Sequence, residues 1–251
     1  MLNRPPLSLA AVAVLAVGLS ACTAGSATTA ETPSPSSTAS PTSSASPTTD
    51  TTTATSAPRT VVVLKSALLV LDDLPTGFAI DPADASGDNG GPASSKDPKC
   101  ARLVRLINAK TAPGSKASAD VSFSGGQDGP FVEESIDAMG SVDAVEALQA
   151  SFKSAVAACQ KVSITIPGQG SSTMNVAAVS APKFGDNPVA ARLTATGGPL
   201  AGLEITQVAA GVNDVIVSIS FIAAVADEVD AATEAAVGKA EEVLGNASSG
   251  A

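Results

Sequence analysis

Residues 162–222 read VSITIPGQGSSTMNVAAVSAPKFGDNPVAARLTATGGPLAGLEITQVAAGVNDVIVSISFI, and this stretch decides the fold. Val162, Ile164 and Ile166 alternate with Ser163 and Thr165. Met174, Val176 and Ala178 alternate next. Val189, Ala191, Leu193 and Ala195 follow, offset by Arg192, Thr194 and Thr196. Leu203–Ala210 and Val215–Ile222 complete the run, with turns at Gly197-Gly198-Pro199 and Gly211-Val212-Asn213-Asp214. A period of two places alternate side chains on opposite faces of a strand, and short turn-like links join antiparallel neighbours. The stretch therefore predicts an antiparallel meander with one apolar face and one face rich in Ser and Thr.

Before the meander, Ala119–Ser124 and Phe131–Ala138 have strand character and are joined by the loop Gly125-Gly126-Gln127-Asp128-Gly129-Pro130. Three helices precede the meander, the hairpin lying between the second and the third. The repeat of Leu64, Leu68 and Leu71 predicts one helix that ends near Asp72-Asp73-Leu74-Pro75, and Phe78-Ala79-Ile80 reads as a short strand after it. Asp97-Pro98 supplies an N-cap and a first-turn proline for the next, with Cys100, Leu103, Val104 and Ile107 on one side. Ser141 caps the third, with Asp143 in its first turn and a stripe of Val145, Leu148, Phe152, Val156 and Cys159. A last helix spans about Asp227–Leu244 and stops at Gly245-Asn246. Together these elements predict a two-layer α+β fold, an antiparallel sheet with helices packed on one face.

The N-terminal part has a different character. Arg4 precedes an apolar run from Leu7 to Leu19. Thirteen residues of helix rise about 20 Å, short of the roughly 30 Å hydrocarbon core, so the run reads as a secretory signal rather than a permanent span. It ends in Leu19-Ser20-Ala21-Cys22, which resembles the lipobox of bacterial lipoproteins. That resemblance implies cleavage between Ala21 and Cys22, a thioether diacylglycerol on Cys22 and an acyl chain such as palmitate on the new amino terminus. Two or more chains hold a protein stably on a bilayer where one does not. Residues 1–21 are then a signal peptide and 22–59 a Ser/Thr/Pro/Ala tether, too poor in apolar residues to offset its ordering entropy. As a coil the tether spans on the order of 30–40 Å; in polyproline II it reaches about 110 Å. Residues 60–245 form a single domain and 246–251 a disordered tail. The place this assigns the chain is the outer face of the cell membrane.

Cysteine arithmetic agrees with export. With Cys22 lipidated, Cys100 and Cys159 remain as an even pair, each on the core-facing side of its own helix, so a disulfide between them is geometrically plausible. The net charge of −10 excludes nucleic acid as a partner and leaves membrane attachment to covalent lipid. The sequence holds no His, Trp or Tyr. That removes Ser-His-Asp and Cys-His catalysis and the usual zinc sites, so no catalytic residue, metal or cofactor is assigned. Carboxylate pairs occur at Asp72-Asp73, Glu133-Glu134 and Glu241-Glu242. Neighbours on a strand point to opposite faces, so Glu133 and Glu134 do not converge. Asp84, Asp88 and Asn89 lack the EF-hand spacing, and Gly168-Gln169-Gly170 does not open a helix as a phosphate loop must.

The stretch ALLVLDDLPTGF at 67–78, a cysteine opening the next helix, a second closing the following one, a strand meander and a last helix resemble exported actinobacterial lipoproteins. The layout from Val61 to Leu244 is similar to the extracellular sensor domain of mycobacterial PknH-type kinases. The resemblance implies an extracytoplasmic sensor domain. In those kinases it carries two disulfides and a polar cleft; here there are cysteines for one pair, and no cleft residue is carried over. Two functions follow as expectations. One is a binding or sensor-like domain for an apolar or amphipathic envelope ligand. The other is a structural or accessory envelope protein acting through protein contacts.

The anchor is directly testable. Cys22→Ser is expected to move the chain from the carbonate-resistant membrane fraction to the soluble fraction. Retention of the variant on membranes would refute lipid attachment at that sulfur.

Overall fold

A strand run this apolar must be covered, and the arrangement of its cover is the main feature of the fold. The computed structural model describes residues 59–81, 92–127 and 129–245. The signal and lipobox residues with Ala21 and Cys22, the tether up to residue 58, the Asp84–Asn89 loop and the tail from 246 lie outside the described residues.

The strands are β1 (Ala79–Ile80), β2 (Ala93–Ser94), β3 (Ala117–Ser124), β4 (Phe131–Ala138), β5 (Lys161–Ile166), β6 (Gly170–Val179), β7 (Asp186–Ala195), β8 (Glu204–Val212) and β9 (Val215–Ile222). They form one sheet in the order β1-β3-β4-β9-β8-β7-β6-β5-β2, every neighbour antiparallel. The meander and the hairpin are both as the alternation predicts. The last strand of the meander joins the hairpin, with Glu134 opposite Ile219 and Val132 opposite Phe221. Asn213, at φ 55°, and Asp214 make the β8–β9 turn, so Gly211 and Val212 still belong to β8.

The helices are α1 (Val61–Ala67), α2 (Ala101–Ile107), α3 (Val142–Ala158) and α4 (Ala226–Ala240), the last continued by a five-residue π turn at Glu241–Gly245. Ser141 caps α3 by accepting from the Ala144 N–H at 3.2 Å, and Asp97 accepts from the Lys99 N–H at 2.9 Å. The start of α2 is a short 3₁₀ turn, Pro98–Cys100.

The expectation of helices on one face is corrected. On β8 and β9, Val208, Ala210, Val217 and Ile219 pack with Leu64 of α1 and with Val229 and Ala236 of α4. Their chain neighbours point the other way. Ile205 and Ile222 pack with Leu103 of α2 and Val156 of α3, and Ala209 and Ile216 pack with Val145 of α3. Successive strand residues face opposite sides, so α1 and α4 cover one face and α2 and α3 cover the other. The physical reason is that β8, and β9 at its two ends, carry apolar residues on both faces. Small residues help: Ala190 and Ala191 on β7 belong to opposite apolar clusters. At Gly211 a Cβ would approach Val145 Cγ1 to 3.0 Å, which shows how closely α3 sits on β8.

The first helix is also shorter than its leucine repeat predicts. It stops at Ala67, and Leu68–Val70 run extended before a 3₁₀ turn at Leu71–Asp73. The Leu69 N–H, which a longer helix would have used internally, donates instead to Glu134 Oε2 at 2.7 Å. Arg59, read from the sequence as the end of the tether, is buried and paired with Asp214 at 3.0 Å, tying the chain's entry to the β8–β9 turn.

Cys100 and Cys159 form a disulfide, as their even count and positions suggest, although each sits at a helix end rather than within the helix. Both are fully buried and join the start of α2 to the end of α3. Their sequence separation is 59. Closing a loop of that size stabilises by about 4 kcal/mol in the chain-entropy model. Replacing both cysteines by alanine is expected to lower the unfolding free energy by about that amount in denaturant titration. A change below about 1 kcal/mol would show that the helix pair is held by packing alone.

Candidate functional site

The meander's apolar residues continue across β7, β8 and half of β9, and α2 and α3 cover that part of the sheet. The same face becomes polar toward the hairpin. β9 contributes Ser218 and Ser220 there, and β4 contributes Glu133, Ser135 and Asp137. No helix among the described residues covers this polar half. The result is a cleft of about 980 Å³. Its floor is the polar strand face with Asp120 of β3 and Gln207 of β8. Its wall is the end of α2 with the loop that follows, and Leu148 and Phe152 of α3. Leu106 and Ile107 face Ile164, Leu193 and Ile205 across the deep end. A volume of this size lies at the upper end of small-molecule sites.

Several hydrogen bonds fix the walls. Asp137 is buried on the floor and accepts from the Ala112 N–H at 3.1 Å, which ties the loop after α2 to the sheet. Ser135 Oγ donates to the other oxygen of Asp137 at 3.4 Å. Asn108, at the end of α2, accepts from the Ala93 N–H at 2.7 Å and donates to the Ala93 carbonyl at 2.8 Å, completing the ladder of β2. On α3, buried Gln149 donates to the carbonyls of Asp186 and Asn187 at 2.7 and 2.9 Å. Those carbonyls lie where β7 bulges against β8, so the side chain satisfies groups that the ladder leaves over.

The two adjacent glutamates diverge as the strand geometry requires. Glu133 faces the cleft and Glu134 the α1 side. Burial raises the pKa of Glu133, and the charge of Asp120 raises it further. These two carboxylates are diagonal neighbours on β3 and β4, because Ser122 is the residue opposite Glu133. The Ser122 hydroxyl is buried and has no partner among the described residues. It lines a niche of about 10 Å³ together with Glu133 and Ser220, room for roughly one water.

Glu134 is wholly buried, and burial pushes its pKa up to about 7. The Leu69 N–H and the Lys239 charge act in the opposite sense without overcoming burial, and Asp73 adds to the rise. Its second oxygen has no hydrogen-bond partner among the described residues. Asp73 behaves differently. Burial raises it, yet hydrogen bonds from Lys239, at 2.7 Å, and from the Val70 N–H bring it below its ordinary value.

Among the other residues singled out from sequence, Asp72-Asp73 sit in the 3₁₀ turn and Glu241-Glu242 in the π turn, far apart in the chain and not converging on the cleft. Gly168 and Gly170, both at positive φ, make the tight β5–β6 turn, which explains their spacing without a phosphate. Among the described residues no cluster of three metal-ligating side chains is present, and no helix is long and apolar enough to cross a membrane. The cleft residues themselves were not visible to sequence reasoning. Leu148, Phe152 and Ile107 read as core, and the serines of β9 as a solvated face.

No family model matches the sequence, and no curated protein matches it. Among solved structures, the chain is similar to the extracellular domain of PknH from Mycobacterium tuberculosis. The TM-score is 0.56 at 15% identity, covering 76% of this chain and 99% of that one. At this identity the likeness is one of fold.

The buried glutamate gives a pH dependence of known sign. The ordinary value of Glu134 is about 4.5 and its folded value about 7, so the folded state holds the proton more tightly. Stability is therefore full below about pH 4.5 and falls as pH rises toward 7, by about 3 kcal/mol in all. Glu134→Gln keeps an acceptor for the Leu69 N–H and removes the charge. It is expected to flatten the loss of stability between pH 5 and 8 in denaturant titrations. Glu133 adds a slope of the same sign in both proteins, so their difference isolates Glu134. Parallel pH profiles would contradict the assignment.

Proposed function

We propose that the chain is a lipid-anchored, extracytoplasmic binding domain of sensor-like type. Its ligand is an amphipathic envelope molecule held in the cleft between the polar face of β3, β4 and β9 and the wall of α2 and α3. The observation that carries this reading is the cleft itself, about 980 Å³ with an apolar deep end and a hydroxyl- and carboxylate-lined floor. The likeness of fold to an extracellular domain supports the setting. The signal-like N-terminus and Cys22 support the anchor, and the disulfide supports an oxidising compartment.

The reading involves no catalysis. The absence of histidine in the sequence and the divergence of Glu133 from Glu134 both favour binding over turnover. A structural or accessory role was the other expectation. A filled core with a flat Ser/Thr face would suit that role, and the open cleft favours ligand binding instead.

Protein isolated from membranes of its own host is expected to carry a co-purifying small amphiphile in native mass spectrometry. Ser218→Phe, which places a ring in the cleft from β9, is expected to remove that adduct while changing the melting temperature by only a few degrees. An adduct retained by Ser218→Phe would place the ligand elsewhere, and a bare mass from both proteins would count against the proposal.

A further inference from the structure

We infer that the cleft selects a ligand with a cationic, hydrogen-bond-donating head group and an apolar tail. The head is an organic ammonium seated between Asp120 and Glu133, and the tail lies under α2 and α3. The inference rests on the cleft being the binding site and goes further in naming the chemistry of what fits it.

The cleft is chemically polarised along one direction. Its acidic end lies on β3 and β4, at Asp120 and Glu133. Its apolar end lies at β7 and β8 under the helices, at Leu193, Ile205, Ile107 and Phe152. Crossing from β4 through β9 and β8 to β7 takes three inter-strand steps, roughly 14 Å, which is the reach of a medium-length alkyl chain. Of the three carboxylates on the floor, Asp137 is already engaged by the Ala112 N–H and Ser135. Among the described residues, Asp120 and Glu133 have no basic partner in the cleft wall beside them. The one cationic side chain lining the cleft among the described residues is Lys110, exposed on the loop beyond α2.

Two carboxylates held as diagonal neighbours repel each other, and a cation between them removes that cost. A separate observation lies beside it, in a small niche that shares Glu133 and Ser220 with the cleft. The Ser122 hydroxyl is only 5% exposed, has no partner among the described residues, and opens on the niche it shares with Glu133 and Ser220. A buried hydroxyl left unpaired costs free energy, and an N–H donor reaching this niche would satisfy it. The head group thus needs donors as well as charge, which an ammonium has and a quaternary amine lacks. A metal ion fits less well, because no three ligating side chains converge among the described residues.

The test uses the full chain carrying Cys22→Ser, with octylammonium chloride, sodium octanoate and 1-octanol as probes below their aggregation limits. Binding is followed by amide shifts of Glu133, Phe152 and Ser220. Octylammonium is expected to shift all three and to bind about tenfold more tightly than 1-octanol, with octanoate weakest. The double variant Asp120→Asn/Glu133→Gln is expected to lose that advantage and leave 1-octanol unchanged. Raising salt from 50 to 500 mM should weaken octylammonium alone, an independent check should the double variant misfold. If octanoate or octanol shifts the cleft amides as tightly as octylammonium, the cationic head is wrong and the binding cleft stands. If octylammonium binds there equally well in the double variant and at high salt, the acidic seat is wrong. If no probe moves the cleft amides, both this inference and the binding role of the cleft fall.

Discussion

The constraint on which the structure depends is that β8 and the ends of β9 carry apolar side chains on both faces. Val208 and Ala210 look one way from β8, and Ile205 and Ala209 look the other. One helical layer cannot bury both sets. Burial of each such side chain is worth about 1.5–3 kcal/mol for the larger ones, so leaving either set in water would remove several times that from a marginal total. The fold answers with two helix pairs, offset along the sheet. α1 and α4 take the face that continues into the apolar side of β3 and β4. α2 and α3 take the opposite face where it continues into β5, β6 and β7. Each face therefore has a covered half and an open half.

The cleft follows from that offset. On the α2–α3 face the covered half ends near β9, and the remaining strands carry Ser218, Ser220, Glu133 and Ser135, which need no cover. The helix pair consequently ends in a wall rather than a lid. The glutamate pair marks the boundary sharply. One residue of strand turns a cleft-facing carboxylate into a buried one that replaces a helical hydrogen bond at Leu69. The same step that opens the site on one face terminates α1 on the other.

Much of the fold was legible because period-two alternation and capping residues are local signals. The meander, the hairpin, the cap at Ser141 and the divergence of Glu133 from Glu134 are read from neighbours a few residues apart. The second covered face was legible in principle. Val208-Ala209-Ala210-Gly211-Val212 and Val215-Ile216-Val217 are unbroken apolar runs, the mark of strands buried on both sides. Treating them as alternating like Val162–Ile166 led to one helical layer. The early end of α1 was not legible, because the carboxylate that intercepts the Leu69 N–H lies 65 residues away in the chain. Nor was the cleft. Leu148 and Phe152 carry the same apolar pattern whether they meet a strand or the edge of a gap, and only the lateral extent of the helix pair decides which.

The way the wall is held bears on how the cleft would work. The disulfide joins the beginning of α2 to the end of α3, so the two helices of the wall are covalently linked. Asn108 fastens the far end of α2 to β2, and Asp137 fastens the following loop to the floor through Ala112. Gln149 binds α3 to the bulged start of β7. Each tie is a polar group satisfied across the gap between helix and sheet, and breaking one exposes a buried donor or acceptor. A wall fixed to the sheet at three places favours a pre-formed gap, and a pre-formed gap spares the ordering entropy that binding otherwise costs. It also separates two properties that a softer site would mix. The helix–sheet ties hold the wall of the cleft, while Asp120 and Glu133 on its floor take part in none of them.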